Sequence, residues 1–231
     1  MKYTLLPGLA LLLLVAGAGC KGHEEKTQEN KTVPAAGLIV AVGDSLTAGL
    51  HVEEEASYPA QLQKRLQAAG LQYRVINSGV SGETSSGTLS RLNWILTQKP
   101  DIVILETGAN DGLRGIDPAL TRENIEKIMA ALREKKIVTV LTGMRMAGNM
   151  GTGYTDSFHQ LYEDAARESS GTIFMPFFLE GVAGVPALNT SDGIHPNARG
   201  YGIITGNLFP YVLQAIAIRN QSSEKTQKPA G

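Results

Sequence analysis

The sequence has little from which a disulfide or a nucleic-acid surface could be built. It holds a single cysteine, Cys20, so no disulfide can form within the chain. Its 21 basic and 22 acidic residues give a formal net charge of -1, and no block of one sign stands out. Its 7 Tyr, 5 Phe and 1 Trp are not interleaved with basic residues. We therefore expect no nucleic acid as a partner.

Several enzyme signatures are also missing. The Gly-x-Ser-x-Gly elbow is absent, because the second residue after Ser45 is Thr47 and the second after Ser81 is Glu83. There is no Gly-rich phosphate loop with lysine and no dinucleotide fingerprint. Histidine and acidic residues are scattered along the sequence, so we expect no metal site and no cofactor.

The amino-terminal region has the pattern of an export signal over residues 1–19. Lys2 supplies the positive charge, residues 5–15 are mostly apolar, and small residues lead directly to Cys20. This segment resembles the bacterial lipobox, although Gly17 stands where that pattern usually has leucine. It predicts lipid attachment at Cys20 and a periplasmic, membrane-anchored lipoprotein, with ordinary signal cleavage nearby as the alternative. Polar residues 20–36 are predicted to form a flexible tether.

Apolar strands alternate with amphipathic helices between residues 37 and 218. With 231 residues, 42% of them hydrophobic, the chain is long enough for one sizeable core. The spacing predicts strands over 38–42, 73–77, 101–106, 137–141 and 172–175, and helices over 59–69, 84–98, 118–134, 156–169 and 198–218. This alternation predicts one α/β domain of three layers, with a doubly wound, five-stranded parallel sheet. Residues 219–231 are predicted to be a disordered tail.

Polar or glycine residues follow three of these strands. Ser45 comes after the first strand, Gly79 after the second and Asn110 after the third. Strand-exit loops of a parallel sheet open on the same edge, where ligands bind. A late segment adds Asp192 and His195, so that the chain offers a serine nucleophile, an imidazole base and a carboxylate to hold its tautomer.

The other histidines are not predicted to act as the base. His23 lies in the tether, His51 in a polar loop and His159 on a helix. Asp44 and Asp111 are expected to tie loops to backbone amides and to take no catalytic role.

Four blocks of the sequence resemble the ordered blocks of the SGNH, or GDSL, hydrolase superfamily. They are Gly43-Asp44-Ser45-Leu46, Gly79, Gly108-Ala109-Asn110-Asp111 and Asp192-Gly193-Ile194-His195-Pro196. Residues 77–85, 108–115 and 176–180 are similar to the bacterial periplasmic thioesterase/protease/lysophospholipase branch and its arylesterase relatives.

The resemblance implies a flavodoxin-like SGNH fold and a triad of Ser45, Asp192 and His195 that forms an acyl-enzyme. It also implies an oxyanion hole made by the backbone N–H groups of Ser45 and Gly79 and the side-chain amide of Asn110.

Specificity is expected to come from the loops around this site. Five residues are predicted to contact the substrate because they lie in glycine-containing, methionine-rich or apolar loops; these are Gly112, Leu113, Met144, Phe178 and Ile194. The sequence then predicts a monomeric hydrolase of small acyl esters, thioesters or lysophospholipids. Two alternatives stay open, a carbohydrate acetylesterase on the same scaffold and a surface lipoprotein that binds without catalysis.

Overall fold

A computed structural model of the chain describes residues 35–146 and 150–227, with side chains up to residue 222. The predicted signal peptide, Cys20 and nearly all of the predicted tether lie outside these residues.

The described part of the chain is organised around a five-stranded parallel sheet in the order β2-β1-β3-β4-β5. The strands are β1 (Gly37–Gly43), β2 (Tyr73–Gly79), β3 (Ile102–Glu106), β4 (Val138–Thr142) and β5 (Ile173–Met175). All five residues of β3 are buried, as expected for a central strand that is covered on both faces. The predicted five-stranded parallel sheet is confirmed.

The helices cover the sheet in two layers. In chain order they are α1 (Ser45–Ala48), α2 (Tyr58–Ala68), α3 (Ser85–Ser90), α4 (Leu92–Thr97), α5 (Ala109–Leu113), α6 (Pro118–Glu134), α7 (Thr152–Glu168) and α8 (Ala198–Gln227). Helix α2 packs against α8, whereas α6 packs against α3 and α7. The predicted three-layer α/β/α architecture is therefore confirmed.

The strand order reverses between β1 and β3. From β1 the chain moves outward to β2, then crosses back to β3 on the other side of β1. The connections that leave β1 and β3 therefore diverge and open a crevice at the carboxyl edge of the sheet. Ser45 is the first residue of α1, which follows β1, and Asn110 is the second residue of α5, which follows β3.

The helix predicted over 84–98 is wrong as a single element. The structure divides it into α3 and α4 at Arg91, whose backbone lies at φ -99° and ψ 8°. The Arg91 guanidinium donates to the Glu83 carboxylate at 2.6 and 2.7 Å and to the Ser78 carbonyl at 2.8 Å. These bonds tie the break to the end of β2, which a helical pattern in the sequence does not reveal.

The last helix continues beyond its predicted end at residue 218. Helix α8 runs to Gln227, so residues 219–227 are helical and the predicted disordered tail is corrected there. Arg219 donates to Asp101 Oδ1 at 2.9 Å, and Tyr73 donates to Asn220 Oδ1 at 2.9 Å. These contacts stabilise the turn of helix α8 that contains residues 219 and 220. The polar side chains of this turn have no apolar spacing from which a helix could be predicted.

Helix α8 is long and apolar enough to cross a membrane by length and composition alone. In the structure, however, its Tyr201, Ile204, Leu208 and Val212 side chains are fully buried. Since the helix packs on β3, β4 and β5, these residues belong to the core beside the sheet.

Candidate active site

Ser45 lies in the tight turn between β1 and α1. The Asp44 side chain caps this turn by accepting the Leu46 N–H at 2.9 Å. Gly43 is required at the end of β1, because a Cβ there would overlap the Thr47 hydroxyl and the Glu106 carboxylate. Ser45 is 8% exposed and lines a cleft at the carboxyl edge of the sheet.

The structure brings Ser45, His195 and Asp192 into one hydrogen-bonded chain. His195 Nε2 lies 2.8 Å from Ser45 Oγ, and His195 Nδ1 lies 2.6 Å from Asp192 Oδ2. Ser45 and His195 are 150 positions apart in the sequence. Both distances allow proton transfer, so the imidazole can take the proton of the serine hydroxyl while the carboxylate orients the ring.

The turn that carries Asp192 also keeps its carboxyl ionised. Asp192 Oδ1 accepts the N–H groups of Ile194 and His195, each at 3.0 Å, and the Thr190 hydroxyl at 2.9 Å. The turn needs glycine at 193, where φ is +77°. The two backbone donors, from His195 and then Ile194, hold the pKa of Asp192 well below its usual range. The carboxylate therefore remains charged wherever His195 is neutral.

The cleft beside Ser45 has a volume of about 730 Å³ and mostly apolar walls. Its lining residues are Asp44, Ser45, Leu46, Leu50, Gly82, Ala109, Asn110, Leu113, Met144, Arg145, Met146, Phe177, Leu179, Ala183, Gly184, Asn189, Gly193, Ile194 and His195. A cleft of this size and composition suits an apolar acyl group that ends at the serine.

Three of the five residues predicted to contact the substrate line this cleft. They are Leu113, Met144 and Ile194. The other two predictions need correction. Phe178 is fully buried and packs edge-to-face on Tyr58 at 5.2 Å between ring centroids.

Phe177, the neighbour of Phe178, lines the cleft in its place. Gly112 is buried beneath Met146, where a Cβ would overlap the thioether, so it makes room for a lining residue and does not line the cleft itself.

The structure places Gly79 away from the cleft. Its N–H donates to Asn77 Oδ1 at 3.0 Å, and its Cα packs on the backbone of Thr47 and Ala48. Gly82 lines the cleft instead, with a left-handed backbone at φ +79°. Within the described residues, the Gly82 N–H donates to no protein acceptor.

The backbone N–H predicted as a donor at Gly79 does not lie at the cleft, and Gly82 is the glycine of this segment that lines it. Both glycines belong to one short segment, residues 79–82. Only the path of the chain after β2 tells them apart.

Asn110 lines the same cleft as Ser45 and Gly82. Its Nδ2 donates to Asp44 Oδ2 and to the Glu83 carbonyl, each at 3.0 Å. Gly108 allows the chain to turn into α5 with φ +102°, where a side chain would overlap the Tyr162 hydroxyl. The amide is thus held at the cleft by two acceptors, one for each of its two N–H groups.

A buried acid that the sequence analysis did not single out lies beneath this site. Glu106, the last residue of β3, is fully buried, and its Oε2 accepts the Asp44 N–H at 3.2 Å and the Thr47 hydroxyl at 2.9 Å. Its Oε1 receives no hydrogen bond from an N–H or O–H group in the described residues. Among the charged groups, the Asp44 carboxylate acts most strongly on Glu106.

A nearby negative charge disfavours the ionised form of a buried carboxyl. Burial, followed by the charge of Asp44, raises the pKa of Glu106 well above its usual range. Burial also raises the pKa of Asp44, although that carboxylate accepts bonds from Leu46 and Asn110. Glu106 is therefore the member of the pair that holds the proton. The signal in the sequence was an acid at the end of an otherwise apolar strand.

We expect the free energy of unfolding to fall less with rising pH in Glu106→Gln than in the wild type. The unfolded chain releases the Glu106 proton near the usual pKa, whereas the folded chain retains it to higher pH. The free energy of unfolding of the wild type therefore falls with rising pH in that window, by at most about 1.4 kcal/mol per pH unit. Glutamine keeps the hydrogen bonds of the protonated acid without titrating.

Urea unfolding at several pH values between about 5 and 9 measures this effect. Glu123→Gln, at an exposed residue of α6 that pairs with Lys127, is the control. If the free energy of unfolding of Glu106→Gln fell with pH as steeply as that of the wild type, this result would contradict a Glu106 that is protonated in the folded protein.

His51 lies next to the triad, although the sequence placed it in an unrelated polar loop. His51 Nε2 is 3.4 Å from Asp192 Oδ2, and the rings of His51 and His195 are 5.5 Å apart at 81°. The possible ligand atoms of His51, Asp192 and His195 all lie within 4.8 Å of one another. The expectation that histidine and acidic residues are too scattered to meet is therefore wrong at this position.

The chain matches known proteins over most of its length. Residues 41–203 match the model of the GDSL-like lipase/acylhydrolase family. Esterase TesA of Pseudomonas aeruginosa is 38% identical over 202 residues, which cover 87% of this chain and 96% of that protein. Thioesterase 1/protease 1/lysophospholipase L1 of Escherichia coli K12 is 35% identical over 164 residues, 71% of this chain and 77% of that protein.

A solved structure agrees with these matches. The crystal structure of TesA superimposes with a TM-score of 0.74 at 37% identity, and covers 77% of this chain and 99% of that one.

Proposed function

This chain belongs to the GDSL-like lipase/acylhydrolase family and is a serine ester hydrolase; on that premise we propose that Ser45 is its nucleophile and forms an acyl-enzyme. The observation that carries the proposal is the chain of hydrogen bonds from Ser45 Oγ to His195 Nε2 at 2.8 Å and from His195 Nδ1 to Asp192 at 2.6 Å. As the chain is an enzyme of this family, the alternative of a lipoprotein that only binds is set aside.

The proposed reaction has two stages. His195 Nε2 accepts the Ser45 proton while Oγ forms a bond to the carbonyl carbon of the ester or thioester. The tetrahedral intermediate collapses as the bond to the leaving alcohol or thiol breaks, and His195 returns the proton to that group. A water molecule, deprotonated by His195, then attacks the acyl carbon. The bond from this carbon to Ser45 Oγ breaks, His195 returns the proton to Oγ, and the acid is released. Asp192 stays ionised throughout and stabilises the imidazolium.

We assign the oxyanion hole to the backbone N–H groups of Ser45 and Gly82 and to the Asn110 amide. The assignment is supported by their position along one wall of the cleft and by the unpaired N–H of Gly82 in the described residues. The two acceptors of Asn110, Asp44 Oδ2 and the Glu83 carbonyl, must share an amide hydrogen with the oxyanion. Such donors are effective because they are already oriented before charge develops.

An adduct with a phosphonate ester tests this assignment. We expect the phosphonyl oxygen to lie about 2.7–3.1 Å from Gly82 N, Ser45 N and Asn110 Nδ2 in the crystal structure of the adduct. An oxygen bound instead by the N–H of Gly79 would contradict it, since that N–H would first have to leave Asn77.

We propose that the substrates are small esters and thioesters with short to medium aliphatic acyl chains, including lysophospholipids. The apolar walls of the cleft support this choice, as do the printed names of the relatives, an esterase and a thioesterase/lysophospholipase. No cofactor takes part in the steps above.

Replacing a wall residue is expected to change the acyl preference. Leu113 is 58% exposed and lines the cleft, so Leu113→Ala removes apolar contact with longer chains only. We expect kcat/KM for octanoyl relative to acetyl p-nitrophenyl esters to fall about fivefold, which corresponds to about 1 kcal/mol. Leu120→Ala is the control, because Leu120 is 44% exposed on α6 and is not among the cleft residues.

An unchanged ratio in Leu113→Ala would contradict the proposed acyl site. A wild-type preference for acetylated sugars over aliphatic esters would replace the acyl proposal with the carbohydrate acetylesterase.

We also propose that the protein is exported and anchored peripherally by an acylated Cys20, and that it acts as a monomer. The signal-like residues 1–19 and the small residues before Cys20 support export and acylation. A mature protein whose mass includes residues 1–19 would contradict this location.

A further inference from the structure

His51 is held beside the triad in a conformation that is uncommon for its residue type. Its backbone lies at φ +69°, in the left-handed region, and it follows Gly49, which ends α1 at φ +79°. Histidine is among the few residues that adopt this region with some frequency, yet the conformation still needs support from the surroundings. The result is an imidazole 3.4 Å from the carboxylate that also orients His195.

We propose that His51, Asp192 and His195 form a binding site for a divalent transition-metal ion of the zinc class, and that the bound ion inhibits the hydrolase. Two imidazoles and one carboxylate are the ligands that such ions prefer. The inhibitory part of the proposal rests on the proposed function of the triad, whereas metal binding does not.

One distance between the ligand atoms already fits such an ion, and all of these atoms lie within 4.8 Å of one another. Zinc bonds to nitrogen and oxygen are about 2.0–2.1 Å long, so two ligands of a tetrahedral site lie about 3.4 Å apart. His51 Nε2 and Asp192 Oδ2 are already 3.4 Å apart. His195 Nδ1 is 2.6 Å from the same oxygen, so that pair has to separate by roughly 0.8 Å. The His51 side chain is 55% exposed, which gives the ion a path from solvent.

The charge around the site also favours a cation. Asp192 supplies a carboxylate, and both imidazoles are neutral when they bind a metal. Glu53, Glu54 and Glu55 follow two residues after His51 and are all exposed. The Asp192 carboxylate gives the three ligands a net negative charge.

Binding of the ion would prevent the triad from working. The metal takes the lone pair of His195 Nδ1, so the one proton of the neutral imidazole has to move to Nε2. Asp192 then coordinates the ion and no longer orients the ring. With a cation on its Nδ1, His195 is a poor acceptor for the Ser45 proton.

The test measures binding and inhibition separately on the full-length protein. Zinc binding to the metal-free protein is followed by calorimetry, and Co²⁺ binding by its visible absorption. Inhibition by Zn²⁺ is measured with a p-nitrophenyl ester, each variant being compared with its own metal-free rate. His51→Asn removes one ligand and keeps a residue that tolerates φ +69°. His159→Gln, on α7, is the control for binding to another histidine.

We expect EDTA-reversible inhibition of the wild type and of His159→Gln. In His51→Asn, both the zinc affinity and the inhibition should weaken by about 10-fold or more, since the loss of even an outer partner of a metal ligand costs 10–100-fold. Equal inhibition constants for His51→Asn and the wild type would overturn the proposal, as would no zinc binding at 1:1 stoichiometry. Zinc binding that depends on His51 but leaves the activity unchanged would keep the site and reject the proposed role of the triad.

Discussion

The change Ser45→Ala is expected to abolish ester hydrolysis, with kcat reduced by about 10⁶-fold. Alanine removes the only atom that forms the covalent bond, and with it the hydrogen bond of 2.8 Å to His195 Nε2. The backbone of the turn is unaffected, because the cap is made by Asp44 and Leu46 and does not involve the serine hydroxyl. The thermal unfolding midpoint should therefore stay close to that of the wild type.

Steady-state hydrolysis and labelling with a fluorophosphonate probe measure this effect. The control is Ser90→Ala, since Ser90 is exposed at the end of α3 and bonds only to the Gly87 carbonyl. Ser90→Ala should keep both activity and label. Labelling of Ser45→Ala at the wild-type rate would show that another residue is the nucleophile.

The change Asp192→Asn is expected to lower kcat by about 10⁴-fold with a smaller effect on KM. The asparagine oxygen can still accept the N–H groups of Ile194 and His195, so the turn remains intact. Its NH₂ group would then face His195 Nδ1 and donate to it. His195 would carry its proton on Nε2, where it cannot accept the proton of Ser45.

The pH profile separates this effect from a merely structural one. In the wild type, Asp192 stays ionised on the acid side because its pKa is held well below its usual range, whereas Asp192→Asn has no charge at this position at any pH. Asp192 stabilises the fold above its unfolded pKa, and this contribution is lost only as the pH falls toward the lower folded value. Asparagine has no such contribution at any pH.

Asp117→Asn is the matched control for this change. Asp117 caps α6 by accepting the Ala119 N–H, a role that asparagine also fills. Asp192→Asn with activity within about 10-fold of the wild type would contradict the role assigned to this carboxylate.

The pair of Asp44 and Glu106 explains why Asp44 precedes the serine. Asp44 Oδ1 caps α1 and Oδ2 holds the Asn110 amide, so one carboxylate connects the turns after β1 and β3. Glu106 holds the turn after β1 as well, because its carboxyl accepts the Asp44 N–H and the Thr47 hydroxyl. A site that is dispersed over separate loops is thus positioned by a buried network of hydrogen bonds.

Where sequence reasoning failed, the missing information was the path of the chain between elements. Residues 84–98 do have the apolar spacing of a helix. This spacing does not show that Arg91 bonds to Glu83 and Ser78 at the point where the helix is interrupted. Phe177 and Phe178 are chemically alike, and only packing against Tyr58 decides which of them is buried. The sequence does not show which of two neighbouring residues of the same type is buried in the core.

The sequence by itself determined the fold class and the chemical groups of the site. Strands and helices have periodicities that a sequence displays, and short parallel strands joined by helices leave few possible topologies. It also determined that Ser45, Asp192 and His195 are the groups available for acyl transfer. Such local patterns depend on residues that are near one another in the chain.

Only the tertiary structure decided which residues share the carboxyl edge of the sheet. It placed Gly82 and not Gly79 in the cleft, and it brought His51 to within 3.4 Å of Asp192, 141 positions away in the chain. It also placed Glu106 beneath Asp44, where burial keeps a proton on an acid that would be ionised in water. These outcomes depend on loop paths and on desolvation, which arise from the packing of the whole domain and leave no local signal in the sequence.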